Sequence, residues 1–290
     1  MRQILIILII FFIGCTTNPP KWYNKIYTDN KYYIYASGSG KTKEEAINSA
    51  LANASAKIAI VVKSMYKSLK YQYSDNTTST YSNTSILDIQ TSTNPITFTN
   101  YKILKLEKKD KYYVLLKIDR YKNAKYMCQS LSIPSLNLDT LNLFLHYKDI
   151  INLINKKIDK VKNINAIYPL CKGKLKTLIS LKQKVISNYN KLSYQINSNN
   201  NLIKNIITSI ISIKKSSKGK IKIFVKTKIN HKNINIYKIT SIKIFLIIKT
   251  DNGSKNYYLT CASSSIQDYN TAFELAINKC KKKLKNIFNN

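Results

Sequence analysis

Residues 33–54, YIYASGSGKTKEEAINSALANA, decide how the first part of this chain folds. The preceding tyrosine and the start of that stretch, YYIYAS at 32–37, are β-branched and aromatic as a strand requires, and Gly38-Ser39-Gly40 is read as the turn that ends it. Thr42 followed three residues later by Glu45 is the capping-box pattern, in which hydroxyl and carboxylate each satisfy a backbone N–H that the first helical turn leaves unpaired. Ala46, Ala50 and Ala54, with Ile47, Leu51 and Ile58, recur at three- and four-residue spacing. That spacing predicts a helix whose small-residue face lies close against a sheet. The letters Gly40-Lys41-Thr42 also invite a phosphate-loop reading, but such a loop needs a glycine five positions earlier, and Tyr35 stands there.

Downstream, residues 60–73 are expected to run on as a strand, and Ser, Thr and Asn then dominate through residue 94 as a long exposed hairpin or loop. YKILKLE (101–107) and YYVLLKID (112–119) flank a polar turn at 108–111 and read as a β-hairpin. Upstream, MRQ and the apolar run ILIILIIFFI have the shape of a secretory signal, too short to span a bilayer. Cys15 directly follows the small Gly14, as in a lipobox. Residues 1–14 therefore read as a lipoprotein signal peptide, Cys15 as the lipidated first residue of the mature chain, and 15–30 as a tether. Several acyl chains on one cysteine anchor stably, because each buried methylene adds ~0.8 kcal/mol and one chain alone holds only marginally. Thr16, rather than Asp, follows the cysteine, and likeness to known lipoproteins then implies outer-membrane delivery.

Pro20, Trp22, the strand-Gly-x-Gly-helix unit with its Glu45-Ala46 and repeated alanines, and the hairpin ending in YYVLLKID resemble the Lpp-twenty (LPP20-like) lipoprotein family over about residues 19–126. That family shares its small α/β domain with the N-terminal domain of the flagellar protein FlgT and with FlgP. The resemblance implies an α+β envelope protein without catalytic residues, often attached to the outer membrane and in some members built into flagellar structures. It leaves the C-terminal part of the chain outside it.

That remainder has its own periodicities. Tyr147, Ile150, Ile151, Ile154, Ile158 and Val161 form one helical stripe; Leu178, Leu181, Val185, Tyr189 and Leu192 form another beyond a turn with Pro169 and Gly173. Together they predict an antiparallel helical hairpin, with a third helical piece at 202–211. From Lys220 the period becomes two: Ile221, Ile223, Val225 and Ile229 alternate with lysines, a second run spans 242–249, and Asn252-Gly253 signals a hairpin. A final helix carries Ala272, Phe273, Ala276, Ile277, Cys280 and Leu284 on one face. YYLTCASSS before NTAFELAINKC repeats the pattern of YYIYASGSG before EEAINSALANA, with Ala272 and Ala276 matching Ala46 and Ala50. The expected architecture is α+β: a small α/β sandwich domain (31–127), a helical hairpin linker (128–213), and a C-terminal α+β domain (214–290) of antiparallel strands with a final helix.

Four further cysteines, Cys128, Cys171, Cys261 and Cys280, are an even number for an oxidising compartment. Three pairings are open, as are four free thiols; sequence neighbours favour Cys128 with Cys171 and Cys261 with Cys280, the latter because Cys280 falls on the inward face of the final helix. No CxxC spacing occurs and the histidines are only His146 and His231, the latter in a Lys-and-Asn turn, so neither a metal nor another cofactor is expected. Glu44 and Glu45 sit in a first helical turn, where negative charge favours the helix dipole, and no nucleophile elbow appears.

The net charge is +34, and residues 160–250 hold twenty Lys with no Asp or Glu. Arginine occurs only at Arg2 and Arg120, whereas base readout leans on bidentate Arg forks, so nucleic acid is not an expected partner of this exported chain. Such a body is still drawn to anionic surfaces, an attraction that fades with salt. The expectation is a non-enzymatic, lipid-anchored outer-membrane protein, periplasmic or surface-facing, with a structural or assembly role. Its expected partners are the membrane, through the anchor, and envelope or flagellar proteins or a second copy of itself. The alternative is a Lys-rich binding module for anionic envelope lipid or glycan.

Overall fold

The computed structural model describes residues 18–74 and 96–288, and it is mixed α+β. Residues 1–14, read as a signal peptide, Cys15 and the polar stretch 75–94 lie outside the described residues. The chain divides into two compact units: Met1–Ser132 with Asp159–Leu175, and Ile133–Ile158 with Lys176–Asn290.

In the first unit, strand β1 (Tyr33–Gly40) is followed by helix α1 (Lys43–Ser74), strands β2 (Tyr101–Lys108) and β3 (Tyr112–Asp119), and helix α2 (Arg120–Ser130). The sheet order is β1-β3-β2, all neighbours antiparallel. Two expectations are corrected here. Residues 60–73 are helical, not a strand: Ala50, Ala54, Ile58 and Val62 continue one buried four-residue stripe, while Ile60 is 68% exposed, so the β-branched run obeys the helical period. Gly38 and Gly40 do not end the strand, because β1 runs through Gly40. A Cβ at Gly38 would lie 2.2 Å from the Ala50 nitrogen and 2.5 Å from the Ala46 carbonyl, so the glycine is there to let the helix backbone rest on the strand.

Residues 18–30, read as a tether, instead fold back on the sheet. Pro20 is buried, Trp22 Nε1 donates to Glu107 Oε2 at 2.9 Å, and the Tyr23 ring meets Tyr113 edge-on at 4.9 Å. Asp29 joins this segment to three elements. Its Oδ1 accepts from the Tyr35 amide (2.9 Å) and from Lys57 Nζ (3.2 Å), and its Oδ2 faces the Arg120 guanidinium at 4.0 Å.

In the second unit, helices α3 (Thr140–Ile167) and α4 (Lys172–Asn190) form the hairpin read from the two stripes; each helix contributes its turn-proximal end to the first unit. Tyr147 and Tyr189 stack at 3.8 Å where the two helices pass. The segment 128–213, expected to be only helical, also contains strand β4 (Ser193–Ser198), followed by helix α5 (Asn201–Ile210), which Asn200 caps by accepting from the Ile203 amide. Then come β5 (Lys214–Lys215), the long antiparallel strands β6 (Ile221–Ile234), β7 (Tyr237–Thr250) and β8 (Gly253–Ser265), and helix α6 (Tyr269–Phe288). The sheet order is β5-β4-β6-β7-β8, with β4 parallel to both neighbours. Asn235, at φ 53°, turns β6 into β7, and Gly253, at φ 149°, opens β8 after the loop Asp251-Asn252.

One face of this sheet is the core: Ile221, Ile223, Val225, Ile242, Ile244, Leu246 and Ile248 are all buried. Helix α6 packs on β7 and β8, with Ala272, Ala276, Cys280 and Leu284 fully buried. The likeness of β8–α6 to β1–α1 is local. Each is an edge strand whose following helix lays alanines against it, but β1 opens its unit whereas β8 comes at the end of its own.

Candidate functional site

The Gly40-Lys41-Thr42 turn is a helix cap. Thr42 Oγ1 accepts from the Glu45 amide at 3.1 Å, and Glu45 Oε2 accepts from the amides of Lys41 (2.7 Å) and Thr42 (3.4 Å). The N–H groups that would cradle a phosphate are occupied by a carboxylate of the chain itself. Glu44 lies exposed in the same first turn of α1.

Other described carboxylates also have structural partners. Asp119 caps α2 at the Lys122 amide (2.9 Å), Asp139 caps α3 at the Asn142 amide (2.8 Å), and Asp268 caps α6 at the Thr271 amide (2.7 Å). The Thr271 hydrogen bonds hold Asp268 below the usual carboxylate range. Asn123, wholly buried, uses its amide completely. Its Oδ1 accepts from the Thr99 and Asn100 amides, and its Nδ2 donates to the Asn100 and Asp119 carbonyls. Nothing in the local sequence signals that role, since an Asn beside Lys and Tyr on a short helix reads as surface.

His231 is not in a turn. It lies on β6 opposite Thr240, with Nδ1 3.0 Å from Thr240 Oγ1 and its ring 5.0 Å from that of Tyr269. His146 sits at a kink in α3, 3.9 Å from Asp149. Among the described residues no group of His, Cys, Asp or Glu is gathered as a metal site.

The four described cysteines are paired as sequence neighbours. Cys128, on α2, is bonded to Cys171, just before α4, with Cα atoms 5.9 Å apart. Around this bridge Lys174 Nζ donates to the Cys128 and Leu131 carbonyls, Arg120 donates to the Ile167 carbonyl at 3.2 Å, and Tyr121 meets Tyr168 edge-on. Burial lowers the Arg120 pKa while Asp29 acts the other way. In the second unit Cys261, on β8, is bonded to Cys280, on α6, with Cα atoms 5.4 Å apart.

What sequence reading left undivided is the distribution of lysine. The period-two pattern of β6 and β7 sends Ile221, Ile223, Ile242, Ile244 and Ile248 to the helix-covered face and Lys222, Lys226, Lys228, Lys243 and Lys249 to the other. Register assembles that other face in transverse rows. Lys222 is opposite Lys249, and Lys228 is opposite Lys243; between these pairs Phe224 faces Ile247, while Lys226, Phe245 and Tyr258 stand in line across β6, β7 and β8. Phe224 and Phe245 are each 41% exposed and Tyr258 63%. No Asp or Glu occupies any position on this face of β4, β6, β7 or β8. The two lysine pairs lie about 20 Å apart along the strands, at ~3.3 Å per residue.

A family model described as LPP20 lipoprotein matches residues 20–119. No curated protein matches the chain. Among solved structures the chain matches the crystal structure of the secreted protein HP1454 from the human pathogen Helicobacter pylori, at 16% identity and a TM-score of 0.42, covering 87% of this chain and 96% of that one. Among the described residues no helix is long and apolar enough to cross a membrane.

Proposed function

We propose, with an LPP20 lipoprotein segment at residues 20–119 as the premise, that this protein is a non-enzymatic, lipid-anchored component of the cell envelope. In this reading Cys15 carries the lipid, the body is held at the outer membrane, and the first unit docks onto an envelope assembly, a flagellar one among the candidates, or onto a second copy. The supporting observation is the edge of the first sheet, which no further strand pairs among the described residues. β2 is an outer strand, and Ile103, Leu104 and Leu106 on it are 38%, 46% and 41% exposed. An exposed apolar edge strand is a template for pairing with another chain. The structural employment of the carboxylates described above supports the absence of acid–base chemistry.

Two variants test the two halves of this reading. Cys15→Ser is expected to release the exported protein from membranes; identical processing and retention would remove the anchor. Ile103→Lys with Leu106→Lys is expected to abolish salt-resistant partners recovered by affinity isolation from detergent-solubilised envelopes. An unchanged set of partners would exclude β2 as the docking edge.

A further inference from the structure

We propose that the outer face of the second sheet, exposed among the described residues, is a binding platform for an acidic glycan, a chain of sugars bearing carboxylates. The first observation is stacking surface: Phe224, Phe245 and Tyr258 are large rings left open on the outer face of a rigid sheet, Phe245 directly beside Tyr258. The negative face of an aromatic ring attracts the weakly positive C–H groups on the flat side of a sugar. The second is charge: Lys222 with Lys249 and Lys228 with Lys243 bracket the rings, Lys226 lies between them, and no carboxylate on the face opposes them. The third is the remaining lining, in which Asn197, Asn256 and Thr260 supply donors and acceptors suited to sugar hydroxyls.

The same observations weigh against a bilayer as the occupant. The rings alternate with lysine, amide and hydroxyl side chains across the face, so inserting them into a bilayer would carry those polar groups into the hydrocarbon, where they would be costly. A stacked single strand of nucleic acid would use similar chemistry. The choice of glycan over that strand rests on the export reading above, which places the body among envelope polyanions. The site itself does not depend on acylation at Cys15.

The test uses the full-length body with Cys15→Ser, released from membranes. Its probes are an oligogalacturonate, the neutral oligomer cellohexaose, a single-stranded oligothymidylate, and vesicles with a phosphatidylglycerol component. The oligogalacturonate is expected to bind saturably and the neutral oligomer at least tenfold more weakly. Phe245→Ala with Tyr258→Ala should weaken binding at least tenfold while leaving the salt slope unchanged. Lys228→Gln with Lys243→Gln should weaken it and flatten that slope. Amide hydrogen exchange on the Cys15→Ser body without further substitution should show protection confined to β4, β6, β7 and β8, which keeps the test decisive if a variant misfolds. Binding indifferent to the two rings, or protection elsewhere, overturns the proposal. Tighter, ring-dependent binding of the oligothymidylate or the vesicles overturns the glycan assignment, and no binding of the oligogalacturonate overturns the site. Membrane release by Cys15→Ser is scored separately, so failure of the anchor and failure of the platform are distinguishable.

Discussion

At Gly38 a single hydrogen atom in place of a side chain sets the distance between strand and helix. Gly38→Ala would put a methyl 2.2 Å from the backbone of Ala50, and backbone cannot swing aside as a lysine tip can. Overpacking of this kind typically costs 1–3 kcal/mol, and we expect about 3 kcal/mol here, read as a lower urea midpoint. Lys41→Ala, just past the end of β1, removes only an exposed charge and should stay within about 0.5 kcal/mol of the parent, with no change in ATP binding. Equal effects of the two would mean that the helix does not rest on Gly38. The capping box and the alanine stripe were legible because each is a local pattern with one mechanism. The glycine's true role was not, since strand-internal and turn glycines look alike until the crossing helix is placed. Asn123 was illegible for a related reason: three of its four partners come from the distant residues Thr99 and Asn100.

Among the elements, α6 shows how far a pattern can be carried. Its inward face was readable from spacing, and the same spacing put Cys280 over β8. Aligned by the repeated strand-to-helix pattern, Cys261 and Cys280 take the places of Ala36 and Ala54 in the first unit. One unit thus seats its helix by close backbone approach, whereas the other adds a covalent tie. Closing a loop with a separation of 19 residues constrains the unfolded chain by about 3 kcal/mol in the chain-entropy account. Replacing both cysteines by serine should lower the stability of the second unit by about that amount in a urea titration followed by circular dichroism, and an unchanged titration would show that apolar packing alone seats α6. The helix-for-strand error at 60–73 has an equally physical source. Ile, Val and Lys in a short run satisfy either period, and only the alanines further upstream fix the helical phase.

For the whole molecule, the chain leaves the first unit at Ser132 and returns to it at Asp159–Leu175. Cutting the chain after α2, where the first stretch of this unit ends, therefore removes the Ile167 carbonyl from Arg120 and Cys171 from Cys128. We expect a fragment of residues 16–132 to unfold at a lower urea concentration than the first unit within the intact chain, the bridge alone accounting for about 4 kcal/mol. Trp22, the single tryptophan, packs in that unit and reports on it selectively by fluorescence. Coincident transitions would show that the returning segment adds nothing. The order of the cysteines along the chain has a further consequence for biogenesis. Each bridge joins cysteines that are consecutive in sequence, Cys128 to Cys171 and then Cys261 to Cys280. With the Cys15 sulfur already capped by its proposed lipid, a chain threaded N-terminus first into an oxidising compartment presents the first pair complete before the second begins, so joining the remaining thiols in order of arrival yields both native bridges, and no isomerase is required to reshuffle them.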